Sequence, residues 1–143
     1  MPEDLYPANI LVVTGSVPRA EMMDRPLAYY LKDRIDDCGG SDPRRKAVVL
    51  SDIWYLQNEA VHEHPVISLG GPGVNALSAA LYRTLPPALA IEDVLLIQMD
   101  VTFEDRRACV WGMDHDRTKI AVATFAQHRF LGAYLDAMWQ SLG

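Results

Sequence analysis

Between residues 65 and 82 the chain carries no charged side chain and no histidine. A stretch that long approaches the roughly 20 residues needed to span a bilayer, yet Gly70-Gly71-Pro72-Gly73 and Asn75 stand in its middle. A lipid-exposed helix does not carry such a break, because the freed backbone groups would find no partner in hydrocarbon. The segment therefore reads as three successive pieces. A buried strand covers 66–69 and a glycine turn follows. Then comes a helix in which Val74, Leu77, Leu81 and Leu85 share a face until Pro86-Pro87 ends it. A strand apolar on both faces must be covered on both faces, which points to an α/β protein with a parallel sheet.

The rest of the sequence supplies matching pieces. Residues 10–14 form a short β-branched run that ends at Gly15-Ser16, and 47–50 form a second strand with room to continue toward Leu56. Between them Asp24 can cap a helix that carries Pro26 in its first turn. On that helix Leu27, Leu31, Ile35 and Cys38 fall on one face, and Gly39-Gly40 stops it. Residues 94–97 and 108–111 are further strands, and the short polar segment 102–107 between them suits a hairpin better than a crossover helix. Phe130, Leu131, Tyr134, Leu135, Met138, Trp139 and Leu142 make the apolar stripe of a final helix whose aromatic rings belong to the core. Thr118 is the expected start of helix there, although 120–125 also reads as a strand. The expected fold is a single α/β domain over 1–143: a three-layer α/β/α sandwich, Rossmann-like or flavodoxin-like. Its sheet is expected to be mostly parallel, of about five strands, with room for an antiparallel edge hairpin.

Composition narrows the functional classes. Half of the 143 residues are apolar and 22% are charged, as in a globular domain. Lys and Arg number 13 against 19 Asp and Glu, a net charge of −6, so general affinity for nucleic acid is not expected. The acidic start, with Glu3 and Asp4 ahead of any apolar run, is unlike a secretory signal. A cytoplasmic protein without a membrane partner is the expectation. Cys38 and Cys109 form neither a disulfide framework nor a zinc knuckle and read as small buried hydrophobes.

The main candidate for chemistry is the turn after the third strand. Gly70, Gly71 and Gly73 permit close approach of a ligand to the backbone. The N–H groups of the following helix favour an anion, and Asn75 and Ser78 offer side-chain hydrogen bonds. The turn lacks the Gly-Lys-Ser/Thr of a phosphate-binding P-loop and the spacing of a dinucleotide fingerprint. The structural alternative is a tight turn in which Asn75 only caps the helix. In a parallel sheet the loop after the first strand lies beside it. There Gly15 and Ser16 allow approach, and Arg19 either meets an anion or is a solvated charge.

Asp52 and Asp100 each follow an apolar run and are weak candidates for an acid, a base or a Mg²⁺ ligand, with plain surface acids as the alternative. His115, between Asp114 and Asp116, is a weak candidate for a general base or else part of a solvated loop. His62 and His64 flank Glu63 without a third ligand nearby, so no metal site is expected. His128 reads as a surface or partly packed residue of the last helix. Trp54 and Tyr55 are adjacent, so on a strand one faces outward and could join a pocket or a subunit contact, which leaves a homo-oligomer open.

Gly70-Gly71-Pro72 followed by Asn75 resembles a motif at strand ends in the α/β domains of archaeal surface-layer-type proteins. In that pattern a later strand ends in Gly, and an Asp/Thr pair opens a helix with small apolar residues. Gly112, Asp116, Thr118, Ala121 and Ala123 look similar. The resemblance implies that the glycine turn and the Asp116–Thr118 helix start lie together, and it implies no activity. Three functions remain. The first is binding of a nucleotide, phosphate or other anionic small molecule at the glycine turn, with the cofactor, if any, unknown. The second is an enzyme at the same sheet edge. The third is an interaction module whose turn is only architecture.

Overall fold

The computed structural model describes residues 5–92, 94–127 and 129–142, so His128 lies outside the described residues. A six-stranded mixed sheet forms the centre, in the order β2-β1-β3-β6-β5-β4. β1 (Ile10–Thr14) pairs in parallel with β2 (Ala47–Ser51) and with β3 (Val66–Leu69), and β3 pairs in parallel with β6 (Arg107–Gly112). β5 (Leu95–Met99) runs antiparallel to β6, and β4 (Pro87–Ile91) antiparallel to β5. The expected hairpin across 102–107 is therefore present. The sheet is mixed rather than mostly parallel, and it has one strand more than expected. The additional strand is β4. Pro87 cannot donate to a ladder, but at the first position of an edge strand no donor is required.

Helices follow the strands. α1 (Pro18–Met23) and α2 (Arg25–Gly39) connect β1 to β2. α3 (Asp52–Gln57) and a single 3₁₀ turn connect β2 to β3. α4 (Ala76–Leu81) follows β3, and α5 (His115–Gln127) and α6 (Arg129–Met138) follow β6. Alternate residues along each strand enter different clusters, as the period of two requires. Ile10, Val12, Ile67, Leu69, Ala108 and Val110 pack with Leu31 and Ile35 of α2, Phe125 of α5 and Tyr134 of α6. Leu11, Val13, Val66 and Cys109 pack with Tyr55 of α3 and with Leu77 and Leu81 of α4. The two central polar rings of the C-terminal region are satisfied in the core. The Tyr134 hydroxyl donates to Arg106 O at 2.8 Å, and Trp139 Nε1 donates to Ala8 O at 3.0 Å.

Several local expectations are corrected. The second strand stops at Ser51, whose hydroxyl accepts from Trp54 N, so the chain turns helical at Asp52. Trp54 and Tyr55 thus lie on a helix, with Tyr55 buried and Trp54 partly buried. Cys38 is exposed on α2, while Cys109 is buried. The buried face of α2 is carried by Ala28, Leu31, Ile35 and Gly39. Residues 120–125 are helical, and α5 begins at His115, ahead of Thr118. Asp114 takes the capping part, accepting from Arg117 N at 2.9 Å. The Thr118 hydroxyl faces back to the strand and accepts from Gly112 N at 3.0 Å.

Candidate functional site

β1, β2, β3 and β6 run in one direction, so their carboxyl ends share one edge of the sheet. That edge collects the loop carrying Gly15 and Ser16, Arg19 in the first turn of α1 rather than in the expected loop, the start of α3 at Asp52, the turn over 70–75, and residues 112–118. β5 is antiparallel, which sends Asp100 to the opposite edge. There its carboxylate is held below its ordinary pKa by the hydroxyl and backbone N–H of Thr102 and the backbone N–H of Asp105. Asp100 is thus a turn-forming acid and does not belong with the glycine turn.

Most of the polar groups that the sequence offers to a ligand are used to hold this edge together. Asn75 is 1% exposed. Its amide donates to Val13 O at 3.1 Å and Leu69 O at 2.8 Å, and its oxygen accepts from the N–H groups of Leu77 and Ser78. One side chain thereby joins β1, β3 and the start of α4. Asp52 is also buried. Its carboxylate accepts from the Ser16 hydroxyl, from Ile53 N at 2.7 Å and from Ala76 N at 2.7 Å. Ser78 is buried against the Ser68 hydroxyl at 2.7 Å and accepts from the Cys109 thiol at 3.3 Å. Burial pushes that thiol up to a pKa of about 11, so it is no nucleophile. The first N–H groups of α4 are therefore taken by Asp52 and Asn75, and an anion cannot have them. The capping alternative for Asn75 describes the structure, and Ser16, Asp52, Asn75 and Ser78 are framework.

The open part of the edge lies on the other side of the turn. A cleft of about 360 Å³ runs between the glycine turn, α1 and the start of α5. Arg19, Gly71, Gly73 and His115 line it, together with Met23, Asp24, Pro72, Val74, Trp111, Met113, Asp114 and Thr118. The glycine turn and the first turn of α5 both line this cleft. Asp24, expected as a helix cap, makes no capping bond and is instead 6% exposed at the base of this cleft. Its closest ion-pairing group is His115 Nδ1 at 3.6 Å, beyond hydrogen-bond reach. Burial raises the Asp24 pKa, and His115 and the Arg19 charge offset part of that rise. His115 Nδ1 and Trp111 Nε1 are buried and have no hydrogen-bond partner among the described residues.

The glycines divide by role. Gly70 has φ +101°, a conformation that L side chains rarely adopt, and a Cβ there would stand 2.8 Å from Asp24 Oδ2. A Cβ on Gly15 would meet Val74 O at 1.8 Å, so Gly15 permits the packing of the first loop against the turn. A Cβ on Gly71 would touch the Trp111 ring at 3.2 Å, whereas Gly73 faces open space. The backbone N–H groups of Gly71 and Gly73 donate to no acceptor among the described residues.

Asp24 and Trp111 escape a reading of the sequence alone. Asp24 precedes Arg25-Pro26 and so looks like a cap, and Trp111 looks like an ordinary strand residue. His62 and His64 lie elsewhere. His62 stacks on Tyr55 with ring centroids 4.5 Å apart, and its Nε2 meets Tyr55 O at 2.7 Å. His64 Nδ1 meets Asn9 O at 3.2 Å. Among the described residues no group of three or more His, Cys, Asp or Glu is placed to hold a metal ion, and no helix is long and apolar enough to cross a membrane. No family model matches the sequence, and no curated protein is significantly similar to it.

Proposed function

We propose that this chain is a small-ligand-binding α/β domain, a Rossmann-like three-layer sandwich whose site is the cleft between the glycine turn and the start of α5. One observation carries the reading. Asp24 and His115 line one cleft 3.6 Å apart, too far for a hydrogen bond, and Trp111, whose buried indole N–H has no hydrogen-bond partner among the described residues, lines it too. Buried polar groups are almost always hydrogen-bonded, and leaving one unpaired costs about 1–3 kcal/mol. Such groups lining one cavity support the reading of a molecule bound there. The volume falls in the range of small-molecule sites, and the carboxyl edge of a sheet is where such ligands bind in open α/β folds. Arg19 and the free N–H groups of Gly71 and Gly73 provide for an anionic or carbonyl end of the ligand.

The Asp24–His115 spacing favours one second reading, an enzyme in which His115 takes a proton from the bound molecule while Asp24 steadies the imidazolium. Turnover of a bound compound, lost in His115→Gln with binding kept, distinguishes it from a binding domain.

Thermal-shift screening against nucleotides, sugar phosphates, amino acids and simple anions tests the binding reading. A ligand at 100 times its Kd adds about 2.7 kcal/mol, which moves the midpoint by several degrees for a domain of this size. Gly73→Trp is the matching control, because a side chain there starts in open space at the mouth of the cleft. We expect at least one compound to raise the melting temperature of the parent and not of Gly73→Trp. Shifts that survive Gly73→Trp would place the ligand elsewhere and overturn the assignment.

A further inference from the structure

We infer that the ligand of this cleft is a small amphoteric compound, an ammonium-bearing carboxylate of amino-acid size with an apolar body, rather than a bare anion; this rests on the ligand-binding reading above.

The position of Asp24 decides the sign of the charge at the base of the cleft. A Cβ added to Gly70 would lie 2.8 Å from Asp24 Oδ2, so the carboxylate abuts the glycine turn itself. A phosphate held by the free N–H groups of Gly71 and Gly73 would sit beside a buried carboxylate, with little water between to screen the repulsion. An ionised carboxylate accepts hydrogen bonds and donates none. His115 Nδ1 faces Asp24 at 3.6 Å, an ion pair longer than a hydrogen bond, which leaves the carboxylate room for a closer donor. A charged donor such as an ammonium forms the stronger bond.

The rest of the cleft calls for the opposite. Arg19 and the N–H groups of Gly71 and Gly73 line the cleft and donate to no acceptor among the described residues, and they suit a carboxylate. Both kinds of group lie within a volume of about 360 Å³, so the ligand must carry its two charges on one small frame. Met23, Pro72 and Val74 leave the intervening wall apolar, which suits an aliphatic or aromatic body.

Calorimetric titration separates the components. The probes are L-leucine, N-acetyl-L-leucine (ammonium removed), L-leucinamide (carboxylate removed) and inorganic phosphate. L-Leucine is expected to bind at least about tenfold more tightly than any of the other three, a difference well within calorimetric resolution. Asp24→Asn is expected to erase the preference for L-leucine over N-acetyl-L-leucine, and Gly73→Trp to abolish binding of every probe. The inference is overturned if phosphate or N-acetyl-L-leucine binds as tightly as L-leucine. It is equally overturned if Asp24→Asn leaves L-leucine binding unchanged, or if L-leucine does not bind. Should only a compound lacking an ammonium or a carboxylate bind in a manner that Gly73→Trp blocks, the cleft remains a ligand site and only the amphoteric assignment falls. Should none bind, both fall.

Discussion

Asp24 shows how a single residue is reassigned when its surroundings become visible. An aspartate ahead of Arg25-Pro26 has the local pattern of a helix cap, but Asp24 also closes α1 and keeps a helical backbone (φ −93°, ψ −30°) instead of the extended one a cap needs, so its carboxyl makes no capping bond and lines the cleft. Its raised pKa fixes the sign of a stability effect. A carboxyl whose folded pKa lies above its unfolded value holds its proton more tightly in the native state. Stability therefore falls as pH rises from the unfolded pKa, 3.8, through the folded one. Asp105 behaves oppositely, because its pairing with Arg107 lowers its pKa and is lost as pH falls. Asp24→Asn removes the charge that burial penalises. We expect this variant to melt above the parent at pH 7 and the difference to shrink as pH falls toward 3.8. A melting point below the parent at pH 7 would mean that an unrecognised partner stabilises the Asp24 carboxylate. A stabilised variant that no longer binds ligand is the pattern expected of a residue kept for function.

At the scale of elements, α4 illustrates why some of the fold was legible and some was not. The helical spacing of Val74, Leu77, Leu81 and Leu85 is present in the sequence, but only Ala76–Leu81 forms helix. A helix of one and a half turns has no independent stability, since nucleation is costly and few bonds follow. It persists because Asn75 caps it and Asp52 accepts from its first N–H. Asn75→Ala would strip the partners from Val13 O and Leu69 O as well as two helix N–H groups. We expect a loss of about 3 kcal/mol or more in urea unfolding, and a loss under about 1 kcal/mol would contradict this account of the turn. The same dependence on context explains β4, which Pro86-Pro87 disguises as a helix stop, and residues 52–57, where the apolar run after 47–50 looks like more strand until the Ser51 cap redirects it. β1, β3 and β6 were readable because their apolar runs are buried on both faces and end at glycine or serine.

At the scale of the molecule, the site depends on strand direction more than on any motif. Parallel pairing of β1, β2, β3 and β6 gathers segments 15–19, 70–75 and 112–118, and the reversal at β5 removes Asp100 from the group. The sequence marks the glycine turn, Arg19 and His115 as candidates, and these three do line one cleft. It cannot separate the inner face of the turn, where Asn75, Ser78 and Asp52 are held in hydrogen bonds, from the outer face, where Asp24 and His115 meet each other only at 3.6 Å and the Trp111 indole N–H has no hydrogen-bond partner among the described residues. That division follows from which side each side chain faces after the sheet has formed. The central claim is that the unpartnered groups of the outer face belong to a ligand, and the indole N–H signals of the three tryptophans test it most directly. In ¹H–¹⁵N spectra of the labelled protein titrated with compounds from the screen, the Trp111 indole resonance is expected to move downfield as it gains an acceptor. The Trp139 resonance, already bonded to Ala8 O at 3.0 Å, should stay in place. A bound compound that leaves Trp111 unmoved, or that shifts both indoles alike, would contradict the account.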